Sequence, residues 1–193
     1  MDDAVDTRTP SWLATLAPGI ELLGSSELLS EKPVAVVGSR HCPGALLLAA
    51  ADWADAWASS GEARPVLAGG FQTPVEAEVL RRVLRGQARA VRLPARGLPR
   101  LLPPAERTAF DAARLAYASP FKAARPSAAL AARRNALLAR IVRAAIVLHA
   151  APGSQTLAWA AEAATKGIPL YTLDHPANEP LLDLGGRPLT HLD

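Results

Sequence analysis

Five short apolar runs, each separated from the next by a segment with helical spacing, constrain this chain more than any other feature. Residues 33–37 (PVAVV), 65–68 (PVLA), 88–93 (ARAVRL), 144–150 (AAIVLHA) and 168–173 (IPLYTL) read as buried strands. Helices are expected over 44–60, closed by Gly61, and over 74–85, opened by Pro74 and stopped by Gly86. Two more are expected over 127–143 and over 155–166, the latter closed by Gly167. Strands alternating with helices of this length predict a single α/β domain with a Rossmann-like, doubly wound, mostly parallel sheet. The stretch 94–126 carries six prolines and is the least regular part; one helix is expected there, over about 105–118.

The regular pattern sets the expected organisation. Residues 1–32 form a leading arm that packs Trp12, Leu13, Leu16, Leu22 and Leu23 on the body. Residues 33–176 form the Rossmann-like domain, and 177–193 a tail of short extended pieces around a Gly185-Gly186 turn. With 193 residues, 50% of them hydrophobic, the chain can bury one sizeable core, which argues against disorder. The lone Cys42 excludes a disulfide framework and a cysteine-based zinc site. No apolar run reaches the ~20 residues of a membrane span. The acidic start (Asp2, Asp3, Asp6) lacks the basic and apolar regions of a signal peptide, so a cytoplasmic location is expected and no membrane partner.

Charge is informative by placement only. The 41 alanines, and the 18 arginines against 3 lysines, follow from GC-rich coding and say nothing about ligands. Residues 1–60 hold 3 basic and 8 acidic side chains, residues 151–193 hold 2 and 5, and residues 61–150 hold 16 and 5, a net of +11. That middle segment predicts a basic face.

In a doubly wound sheet the ligand crevice lies beyond the carboxyl ends of the strands. The first strand delivers Gly38, Ser39 and Arg40 there, which make either a phosphate-binding loop or an ordinary turn. The second delivers Gly69, Gly70 and Phe71: glycines for close approach of a ligand or for a tight turn, and a ring that either stacks on a base or plugs the core. Glu76 and Glu78 suit the first turn of the next helix as dipole partners or caps. The fourth strand delivers Gly153, Ser154 and Thr156, either an anion site or simple N-capping by Ser154. On one helix, Arg133, Arg140 and Arg143 can share a face, with Arg134 and Asn135 beside them; such a row either tracks a phosphate backbone or is solvated. No dinucleotide fingerprint, Walker loop or nucleophile elbow is present, and the four histidines lack metal-ligand spacing. No cofactor, no metal and no catalytic set is expected.

Taken together, VAVVGSR (34–40), AGGFQTPVEA (68–77) and RRNALLARIVRAAIVLHAAPGSQTLAWAAEAATKGIPLYTL (133–173), preceded by ELLGSSELLSEKP (21–33), resemble the DNA-processing protein A (DprA/Smf) family in order and topological position. The resemblance covers most of residues 20–175 and implies a homodimer that binds single-stranded DNA in a basic pocket and loads a RecA-type recombinase during natural transformation. It implies that Arg40 contacts phosphate, Gly69 and Gly70 admit the strand, Arg134 and Asn135 shape the pocket, and Gly153, Ser154 and Thr156 line its rim. The chain departs from the family pattern at Ala68, at Pro74-Val75-Glu76, at Ala136 and at His149. Its length fits the Rossmann core without the usual C-terminal winged-helix-like domain, so a divergent stand-alone member is expected. The alternative is a nucleotide-binding protein of the lysine decarboxylase-like group, whose P-G-G-x-G-T loop is similar to APGSQTL (151–157). As a phosphoribohydrolase it would need Arg134 and Glu162 for catalysis; as a sensor it would bind a nucleotide without chemistry.

Overall fold

The computed structural model describes residues 9–59 and 64–191. Its helices and strands follow in the order α1 (Ser11–Leu16), β1 (Glu21–Leu23), β2 (Val34–Val37), α2 (Gly44–Ser59), β3 (Leu67–Gly69), α3 (Pro74–Arg85), β4 (Ala90–Arg92) and α4 (Pro104–Asp111). They continue with β5 (Leu115–Ser119), α5 (Ala128–Ile141), β6 (Ala144–Val147), α6 (Gln155–Thr165), β7 (Leu170–Thr172), α7 (Glu179–Asp183) and β8 (Arg187–Pro188). The helix end expected at Ser60 and Gly61 lies outside the described residues.

Among the described residues, the eight strands join one sheet in the order β1-β5-β4-β3-β2-β6-β7-β8. Every pair is parallel except β1 with β5, where Glu21 faces Ser119. Strand β2 is central and buried at all four residues, so its side chains divide by parity. Val34 and Val36 join Leu46, Trp57 and Val79 on the face covered by α2 and α3. Ala35 and Val37 join Leu138, Trp159 and Leu13 on the face covered by α1, α5 and α6. From β2 the chain steps outward to β5, then crosses back to β6 on the other side of β2. That reversal between β2 and β6 is the switch point where a crevice must open. The Rossmann-like, mostly parallel fold expected from the sequence is therefore the fold observed.

Two segments differ from expectation. The helix expected over 105–118 stops at Asp111, Ala113 turns the chain with φ 55°, and Leu115–Ser119 is a fully buried strand. LAYAS carries no local periodicity to distinguish helix from strand; ladders to β4 and β1 decide it. In the tail, residues ahead of Gly185 are helical, while Arg187–Pro188 is extended and pairs with β7. The leading segment also contributes directly to the sheet through β1. Among the described residues, no helix is long and apolar enough to cross a membrane.

Candidate functional site

A cleft of about 350 Å³ occupies the switch point. Its walls are stitched together by backbone and hydroxyl groups. Ser39 N–H donates to the carbonyl of His149 (2.9 Å), continuing the β2–β6 ladder past the strand ends. The Ser39 hydroxyl donates to Oγ of Ser154 (3.1 Å) and accepts from the N–H of Ala151 (3.0 Å). Ser154 caps α6 by accepting from Leu157 N–H at 3.1 Å. Its own hydroxyl proton remains available to a ligand. The first N–H groups of α6, those of Gln155 and Thr156, have no intrahelical acceptor, and both residues line the cleft. Arg40 is exposed on the opposite lip, and among the described residues no carboxylate pairs with it. Open amides at a helix start, a hydroxyl and a guanidinium with no carboxylate partner among the described residues can together seat an oxyanion.

The floor is a buried pair of opposite charges. Glu76, only 5% exposed, closes a capping box with Thr73 at the start of α3. Its carboxylate accepts from the N–H groups of Gly38 and Gln72, both at 2.9 Å, and so ties the β2 loop to the β3 loop. Arg134, 6% exposed, donates from Nη1 to the carbonyl of Leu93 (3.1 Å) and from Nε to Oδ1 of Asn135 (2.7 Å). Asn135 in turn accepts at its carbonyl from the Trp159 indole (2.8 Å), which fixes α5 against α6. The guanidinium lies where a Cβ on Gly70 would stand, 1.4 Å from Nη1. Burial pushes the Glu76 carboxyl above the usual carboxylate range, while its backbone donors and Arg134 pull it back. Burial likewise pushes Arg134 down from the ordinary arginine value, against the attraction of Glu76.

Eight of the residues expected at the site line this cleft: Gly38, Ser39, Arg40, Gly70, Arg134, Asn135, Ser154 and Thr156. Three do not. Gly69 packs on β2, where a Cβ would meet the Val36 carbonyl at 2.6 Å. Phe71, at φ 49°, turns its ring into the core and is 1% exposed, so of its two expected readings the ring is the core plug and is not presented to the cleft for stacking. Gly153 takes φ 69° in the turn before α6 and borders a neighbouring apolar groove. The expected arginine row is also divided: Arg133, on α5, lies over the Phe121 ring at 5.4 Å, whereas Arg143 lies beyond the end of α5, at the other end of the sheet. Residues that sequence reasoning missed include His41, Gln72, Thr73, Gln155 and Trp159. Their signal was position alone: the loops after β2 and β3, and the first turns of α6.

The surplus of basic charge is not gathered in the cleft, where Arg40 and Arg134 face one glutamate. Arg92 is engaged by Glu106, and Arg81 and Arg82 by Glu78 and Asp55. Exposed Arg96, Arg100 and Arg125 follow β4 and β5, at the same end of the sheet as the cleft. The pair required for phosphoribohydrolase chemistry is not assembled: Glu162 is an exposed residue of α6 bonded to Lys166 at 2.5 Å, off the cleft that holds Arg134.

Comparison with known proteins agrees with this architecture. DNA processing protein A from Streptococcus pneumoniae superposes with a TM-score of 0.72 at 19% identity, over 89% of this chain and 62% of that one. The chain thus spans less than two thirds of the pneumococcal protein. DNA processing protein A from Helicobacter pylori, a single-stranded DNA-binding protein, matches with a TM-score of 0.72 at 18% identity, over 96% of this chain and 93% of that one. The Moco carrier protein of Chlamydomonas reinhardtii shares the fold more distantly, with a TM-score of 0.52 at 17% identity, over 84% of this chain and 86% of that one. A search of curated protein sequences finds no match. The family model for DNA recombination-mediator protein A matches residues 8–186, nearly the whole chain, and the protein belongs to that family.

Proposed function

We propose that the protein binds single-stranded DNA without catalysing a reaction, seating one backbone phosphate between Arg40 and the first turn of α6. The observation that carries this reading is that exposed Arg40, with no carboxylate partner among the described residues, lines the same cleft as the free amides and the Ser154 hydroxyl of that helix. The cleft has room for about one nucleotide, so the rest of a strand would cross the loops after β4 and β5, where Arg96, Arg100, Arg125 and Arg133 are exposed. Arg134 acts through the floor that it braces and does not reach toward the strand. Membership of a recombination-mediator family supports delivery of the bound strand to a RecA-type recombinase, with a homodimer as the working unit.

Arg40→Ala should weaken binding of labelled oligo-dT by about tenfold, the usual worth of one charge-assisted hydrogen bond. The slope of log K against log salt should become shallower by about 0.7, as expected when one phosphate contact is lost. Arg187→Ala, on the far edge of the sheet, should leave both unchanged. Fluorescence anisotropy at several salt concentrations reads both effects. Equal affinity for wild type and Arg40→Ala would overturn the assignment. Tight binding of a mononucleotide with no gain from added length would replace it with nucleotide sensing.

A further inference from the structure

The opposite end of the sheet holds a second concavity, of about 300 Å³, and its lining is more basic than the cleft. Four cations border it, Lys32, Arg64, Arg89 and Arg143, against one carboxylate among the described residues, that of Glu31. Their convergence follows from topology. Arg89 directly precedes β4, Arg143 directly precedes β6, Lys32 stands two residues ahead of β2, and Arg64 three ahead of β3. Those strands are neighbours in the order β4-β3-β2-β6 and run parallel, so the residues leading into them meet on one edge.

The backbone beneath is hydrogen-bonded from strand to strand. Val34 N–H donates to the carbonyl of Val66 (2.9 Å), Leu67 N–H to that of Arg89 (3.0 Å), and Arg143 N–H to that of Pro33 (3.0 Å). Arg89 is anchored by one bond from Nη2 to the Arg64 carbonyl (3.0 Å), and the Arg64 guanidinium lies 5.3 Å from the centroid of the Trp57 ring. Lys32, Arg89 and Arg143 are exposed, and among the described residues no carboxylate pairs with them. Like charges held in one concavity repel one another, and a bound anion converts that repulsion into attraction.

We propose that this amino-end concavity is a second phosphate-binding site, separate from the β2–β6 cleft, which takes adjacent phosphate groups of a polyphosphate or of a nucleic-acid backbone. The chemistry common to both ligands is a pair of neighbouring oxyanions, met by two arginine forks and a lysine. The site does not depend on the reading of Arg40: it lies across the sheet and shares no residue with the cleft.

The test is a titration followed by amide chemical shifts, with inorganic pyrophosphate and with oligo-dT as probes at constant ionic strength. Pyrophosphate should move the amides of residues 31, 32, 34, 64, 66, 67, 89, 90, 143 and 144 in wild type and equally in Arg40→Ala. In the Lys32→Ala/Arg143→Ala variant, whose altered side chains are exposed and leave the backbone bonds in place, affinity read at the same amides should fall about tenfold or more. Oligo-dT moving the same amides would identify a nucleic-acid backbone as the ligand; pyrophosphate alone moving them would identify a free polyphosphate. Failure of both probes to move them, or equal affinity in Lys32→Ala/Arg143→Ala, would overturn the proposal. Loss of the response in Arg40→Ala would also overturn it, by showing that the only phosphate site is the cleft.

Discussion

Glu76→Ala is expected to lower the folding free energy by about 3 kcal/mol and to loosen the cleft even where the fold survives. The carboxylate joins the β2 loop to α3, and its removal leaves the buried N–H of Gly38 and the part-buried N–H of Gln72 without their acceptor. It also removes the carboxylate that offsets the charge of Arg134, which is 6% exposed. Stripping a buried charge of its nearby counter-charge, and orphaning a buried donor, each cost on the scale of about 1–5 kcal/mol. Denaturant melts at neutral pH measure the loss. A pH series then isolates the charge. Burial holds the Glu76 carboxyl above its ordinary range in the folded state, so the native protein binds that proton more tightly than the unfolded chain. Its contribution to stability is therefore greatest below the usual carboxylate range and declines as pH rises toward the folded value. Glu76→Gln, which cannot titrate, should lack that component, and the wild-type curve should fall relative to it across the acidic range. Parallel curves would mean that Glu76 titrates alike in both states.

The parts of the cleft that were legible in the sequence are those that chain position alone determines. Once short apolar runs alternate with helices, the residues after each strand must gather at one end. Gly38, Ser39 and Arg40 were thereby placed beside Ser154 and Thr156 before any contact was known. Strand β2 was legible because Val34, Val36 and Val37 favour a pleated, buried segment. Strand β5 was not, because alanines at 116 and 118 fit either a helix or a strand, and its partners β1 and β4 are remote in sequence.

Side-chain direction was the second limit. Phe71 follows two glycines at the end of β3, a position that could present a ring to a ligand; its positive φ turns the ring beneath α3 instead. Arg134 was expected to shape the pocket, but nothing in the sequence indicated that its guanidinium is spent on the Leu93 carbonyl and on Asn135. Net charge misled in the same way. The +11 segment is real, but parallel topology sends part of its arginines to the amino edge and part to the carboxyl edge, and ion pairs engage several more.

Gly70→Ala should be nearly as disruptive as removing Arg134, although alanine is the smallest change available. Gly70 does not have a positive φ, so the backbone itself tolerates a side chain. The conflict is with the Arg134 guanidinium, whose Nη1 and Cζ would lie 1.4 and 2.2 Å from the new Cβ. A flexible arginine can swing away, so the overlap is relieved cheaply; the cost lies in what the swing abandons. The Leu93 carbonyl loses its donor, Asn135 loses its bond from Nε, and Glu76 keeps a buried charge with its nearby cation displaced. The expected loss is about 2–3 kcal/mol. Because both substitutions act on the same interactions, their effects should not add. Arg134→Ala should cost a similar amount, and Gly70→Ala/Arg134→Ala should be little worse than Arg134→Ala alone, since the new methyl then enters space the guanidinium has vacated. A double-mutant cycle by urea denaturation reads this directly. Additive losses would show that Gly70 is required for the backbone path after β3, with Arg134 held independently of it.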